Sequence, residues 1–131
     1  MQILQPPSWG KPKGYSNGIV AKGRLVFVAG QVGWNPQSEK FESGDFVAQA
    51  RQALSNVVAI LAEAGAKPEH VVRMTWYVGD RDEYLAAGKA LGAVYREIMG
   101  RHFPVMTGIQ VAGFVEKGAK LEIEATAVLP D

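Results

Sequence analysis

The stretch KLEIEATAV, Lys120 to Val128, alternates with a period of two. Leu121, Ile123, Ala125 and Ala127 fall on one side of a strand, and Glu122, Glu124 and Thr126 on the other. A side so regularly apolar requires a core, which makes this a strand of a sheet covered on one face. The opposite face carries two carboxylates and needs an environment of its own.

The remaining chain supplies the sheet and its cover. Ile19 to Val20 and Leu25 to Ala29, joined by AKGR with Gly23 at the turn, predict a hairpin. GQVGWNPQSEKFESGD reads as a loop, with Asp45 as the N-cap of a helix from Phe46 to Ala64. Along it Val47, Ala50, Leu54, Val57, Val58 and Leu61 recur every three or four residues, and Gly65 stands at the C-terminal cap. His70 to Val78 predicts a strand begun by His70, with Val72, Met74, Trp76 and Val78 on one face and Val71, Arg73, Thr75 and Tyr77 on the other. A second helix is expected from about Asp82 to Met99, ended by Gly100, and further strands at Val105 to Val111 and Leu121 to Leu129.

The order β-β-α-β-α-β-β predicts an α+β fold, a mixed sheet with two helices packed on one face. A two-layer arrangement leaves the second sheet face bare. Half apolar and half charged, that face calls for a neighbouring subunit, so an oligomer is expected.

At 131 residues the chain reads as a single domain, residues 1–131. Its 47% apolar and 21% charged composition is that of a globular protein. Without cysteine it has no disulfide, thiolate nucleophile or Cys-based metal site. His70 and His102 have no ligand-spaced partner, so no metal is expected, and no motif calls for a cofactor. Net charge is +1, and the 14 Lys and Arg are scattered, which argues against nucleic acid as a partner. The N-terminal MQILQPPSWGKPKGYSNG has no apolar signal region and no segment is long enough to cross a membrane, so a cytoplasmic protein is expected.

GYSNGI at 14–19, LVFVAGQVG at 25–33, QARQALSNVVAILAEAGA at 49–66, VVRMTWYV at 71–78 and FPVMTGIQVAGFVEKGAKLEIEATAV at 103–128 resemble, in order and spacing, the Rid (reactive intermediate deaminase, YjgF) family. The resemblance implies a chorismate-mutase-like fold and a homotrimer with small-molecule clefts between subunits. It also implies hydrolysis of imines and enamines. In such members an arginine of a PxR(S/T) motif grips the substrate carboxylate, its planar fork matching two oxygens. A glutamate of the last strand positions water, and an N-terminal tyrosine lines the pocket. Carried over, Glu122 is the catalytic candidate, while Tyr15, Gly30, Gln31, Met106 and Thr107 are the substrate-binding candidates.

Met106 stands where the arginine is expected, and Gly108, Ala29 and Gly92 stand where relatives carry a cysteine, a serine and an asparagine. Each departure removes a polar handle. The implied activity is therefore a deaminase of non-standard specificity; the alternative is a non-catalytic metabolite-binding or protein-interaction module on the same scaffold. Arg24, Arg73, Arg96 and Arg101 are the arginines that match by type, yet no spacing brings one to Met106. Glu124 is expected to be structural, Trp34 is open between a ligand cap and an edge cover, and His102 is expected in an exposed loop.

Overall fold

The computed structural model describes residues 1–131. Strands β1 (Gln2–Leu4) and β2 (Gly18–Val20) form a small antiparallel sheet. The main sheet contains β3 (Arg24–Val32), β4 (Val71–Val78), β5 (Val105–Gln110) and β6 (Leu121–Leu129), in the order β3-β6-β4-β5. Pairing is antiparallel except between β4 and β5. Helix α1 (Phe46–Glu63) links β3 to β4; α2 (Arg81–Ala86) and α3 (Gly88–Met99) link β4 to β5. Both crossovers step in the same direction along the sheet, so right-handed connections put all three helices on one face. The last strand, β6, enters the gap between β3 and β4 and closes the sheet.

Between the layers lies a core to which α1 contributes Ala50, Ala53, Leu54, Val57 and Leu61, all fully buried, and β6 contributes Leu121, Ile123, Ala125 and Ala127. The ends of α1 follow its sequence signals. Asp45 accepts a hydrogen bond from the Ala48 amide at 2.9 Å, and Gly65 takes the left-handed conformation that a side chain would strain (φ 74°).

Five local expectations are corrected. β2 does not form a hairpin with β3 but pairs with the N-terminal β1, while β3 pairs with β6. Gly23 serves a close approach rather than a hairpin turn, since a Cβ there would lie 1.9 Å from the Leu129 carbonyl oxygen. A bulge between Val71 and Arg73 shifts the alternation, so Val71 is fully buried with Met74 instead of facing outward. His70 ends a 3-10 turn before β4, its Nδ1 accepting from the Lys67 amide. The expected second helix is interrupted at Ala87, and Asp80 caps α2 by accepting from the Asp82 and Glu83 amides.

Two buried amides hold the loops to α1. Gln49 donates to the Ser43 and Gly118 carbonyls, both at 3.0 Å, and accepts from the Lys120 amide at 2.8 Å. Asn56 donates to the Val32 and Trp34 carbonyls. Gln49→Leu fills the same space but strips three backbone groups of their partner. It is expected to lower unfolding stability by about 3 kcal/mol, read as a shift of the urea midpoint at unchanged slope.

Candidate functional site

β5 is an edge strand, and the N-terminal segment is fastened beside its start. Ser16 donates its amide to the Pro104 carbonyl at 3.0 Å and its hydroxyl to the Phe103 carbonyl at 2.6 Å. These bonds set Tyr15 into the wall of a cavity of about 600 Å³ on the helix side of the sheet. Met106 and Gly108 of β5, Tyr84 of α2, and Gly92 and Arg96 of α3 complete much of that wall. Tyr95 and Phe103 stack within it, ring centres 6.0 Å apart and planes 13° from parallel. Burial pushes the Tyr95 phenol pKa up, and its hydroxyl donates to the His102 carbonyl at 3.1 Å. The lining includes Lys13 and Arg96 but no carboxylate.

Alternation along β5 sends Met106 and Gly108 into this cavity and Thr107 to the opposite face, level with Thr75 of β4. On that outer face stand Arg73, Thr75 and Tyr77 of β4, Glu122, Glu124 and Thr126 of β6, and Phe27 of β3. The Tyr77 hydroxyl donates to Glu124 at 2.7 Å; this bond and the carboxylate charge raise the phenol pKa. Glu124 thus has a structural partner. Glu122, half-buried, has no ion pair within the protomer.

Gly30 explains where the Glu122 carboxylate lies. A bulge in β3 between Val28 and Gln31 brings the glycine beneath it, and a Cβ there would sit 2.2 Å from Glu122 Oε2. Gln31 turns its side-chain amide onto the Ala29 carbonyl at 3.1 Å. The obstruction met by Gly30→Ala is the end of a flexible side chain, so the fold is expected to lose less than about 1 kcal/mol. The carboxylate, however, must move. Near-native melting is expected in a thermal scan.

Tyr15 and Met106 are therefore brought together on the helix side, and Gly30 and Glu122 on the outer side, which Thr107 also faces. The sheet separates the two groups within one protomer. His102 is oriented rather than free in an exposed loop, its Nε2 against the Val71 carbonyl oxygen. Trp34 packs on Phe41 with centroids 5.8 Å apart and does not line the cavity. Arg96, Tyr84 and the Tyr95–Phe103 stack are cavity residues that sequence reasoning did not place. The only mark of Arg96 in the sequence is its position four residues after Gly92, one helical turn on. No three His, Cys, Asp or Glu side chains converge to hold a metal, and no helix is long and apolar enough to cross a membrane.

Residues 10–129 match the family model described as Endoribonuclease L-PSP. A human 2-iminobutanoate/2-iminopropanoate deaminase is 32% identical over 114 residues, covering 87% of this chain and 79% of that protein. A Yersinia pestis protein, YyfB, of the conserved Rid protein family and of unknown function, superposes with a TM-score of 0.85 at 31% identity, covering 98% of each chain. This chain belongs to the Rid family. Escherichia coli TdcF, solved with bound serine, shares the fold at a TM-score of 0.69 and 32% identity over 98% of this chain and 99% of that one. The Rid fold thus accounts for the mixed sheet, its one-sided helices and the exposed outer face, and the family includes proteins named for imine deamination.

Proposed function

We propose that this Rid protein is a homotrimer that hydrolyses imines or enamines in clefts where the cavity of one protomer meets the outer sheet face of the next. One observation carries the reading: two half-sites, Tyr15 with Met106 and Gly30 with Glu122, lie on opposite faces of a single sheet. A second copy is needed to complete a site that has both a binding wall and a carboxylate. The name of the human relative supports the reaction class.

In this reading water adds to the imine carbon as Glu122 accepts one of its protons, and the nitrogen of the resulting carbinolamine takes up a proton. The C–N bond then breaks, its electron pair leaving with ammonia as the carbinolamine hydroxyl gives up its proton, and a carbonyl remains. An enamine enters the same route once its carbon is protonated. Thr107 and Tyr15 orient the substrate. Met106, at the place of the family's arginine, offers a flexible thioether to an apolar side chain instead of a charge to a carboxylate. The ribonuclease description of the family model is not adopted, because the scattered cations lack the basic stripe that phosphate-backbone binding uses.

The second reading, a binding module without turnover, is favoured by Met106 itself. An amino-acid oxidase that generates imines from a panel of amino acids, with the protein added and imine lifetime followed, decides between them. Shortened lifetimes for imines with apolar side chains are expected. Unchanged lifetimes across the whole panel overturn hydrolysis of amino-acid-derived imines and favour the module.

A further inference from the structure

On the reading of the helix-side cavity as the ligand site, a charge absent at Met106 has to come from another side chain. Arg96 follows Gly92 by four residues on α3, which places the two on one face of the helix. The Arg96 Nη1 lies 3.3 Å from where a Gly92 Cβ would stand. The guanidinium therefore folds back over the glycine, and both residues line the cavity. Arg96 makes no ion pair or side-chain hydrogen bond; its neighbour Glu97 is engaged by Arg51 at 2.6 Å. An exposed fork of donors is thus left free at a cavity whose other walls, Lys13 apart, are mainly aromatic and apolar and which contains no carboxylate.

Trp76, 4% exposed, lines the cavity, and its indole Nε1 is the buried side-chain polar atom left without a hydrogen-bond partner. Buried donors of this kind are costly unless matched. We propose that Arg96, reaching across Gly92, is the anion-binding residue of the cavity, and that the ligand is an organic carboxylate with an apolar or aromatic body. The charge enters from the α3 wall rather than from position 106 on β5. The body packs among Tyr84, Met106 and the Tyr95–Phe103 stack. A guanidinium meets a planar carboxylate through two parallel bonds, which an ammonium cannot reproduce.

Calorimetric binding to the full protein tests this without requiring turnover. The probes are phenylpyruvate, phenylacetone as its uncharged counterpart and phenyl phosphate as the alternative anion. Phenylpyruvate is expected to bind at least about tenfold tighter than phenylacetone. Arg96→Ala is expected to weaken it by roughly 10- to 100-fold, the range of hydrogen bonds to charged groups, and to leave phenylacetone within about twofold. Arg96→Lys recovers only part of the loss, and Met106→Arg in the Arg96→Ala background restores carboxylate binding, which a damaged fold cannot do. Equal phenylpyruvate binding by wild type and Arg96→Ala overturns the proposal, as does Arg96-dependent binding of phenyl phosphate tighter than that of the carboxylate. Imine turnover with no Arg96-dependent binding rejects this inference while leaving the enzyme; Arg96-dependent binding with no turnover sustains the inference and rejects the enzyme.

Discussion

Glu122→Gln is expected to reduce imine hydrolysis by about 10²- to 10⁴-fold, the range for removing a positioned general base. Glutamine keeps the length, the planar end and one acceptor oxygen, so it still fits over Gly30. What it cannot do is accept a proton from water. Because Glu122 makes no ion pair within the protomer, the substitution leaves no lysine or arginine stranded. Stability should accordingly move by less than about 0.5 kcal/mol. Phenylpyruvate binding should stay within about threefold, since the binding charge is proposed to come from the opposite side of the cleft. The kinetic pattern expected is a fall in kcat with KM nearly unchanged. Undiminished turnover by the glutamine variant would remove Glu122 from the mechanism.

The parts of the fold that were legible in the sequence are those whose burial repeats regularly. β6 shows a core at every second residue, and its predicted span, Leu121–Leu129, is the observed one. α1 announces itself by three-and-four spacing and by Asp45 and Gly65 at its ends. Val71 departs from the alternation because a bulge adds a residue without any compositional sign, and one added residue inverts a period of two. The partner of β2 was missed for another reason: QIL at its other side is too short to show periodicity, and pairing across the intervening loop is not a local property. At the candidate site, alternation alone assigns Met106 and Thr107 to opposite faces. The placement of Arg96 depends on how α3 lies against the sheet, which no spacing within the helix specifies.

Phe27→Glu is expected to turn the proposed trimer into monomers. Phe27 is 72% exposed and Leu25, two residues earlier on β3, is 60% exposed, beside the outer face that no helix covers. Burying one phenylalanine contributes about 1.5–3 kcal/mol, and in a closed ring the substitution recurs at every interface. A carboxylate in its place adds a desolvation cost, and the groove that Phe27 lines already holds Glu124. In sedimentation velocity the wild type should run at three times the chain mass of 14.1 kDa and the variant at that mass itself. Phe27 lies on the outer face, away from the cavity that holds Tyr15, Met106 and Arg96, so a dissociated variant keeps both half-sites in each protomer. If the active cleft is built from two copies, that variant loses turnover together with its trimer, although Glu122 and Gly30 remain unchanged. A monomer that still hydrolyses imines would place the whole reaction on one protomer, and a trimer that survives Phe27→Glu would move the subunit contact away from this face.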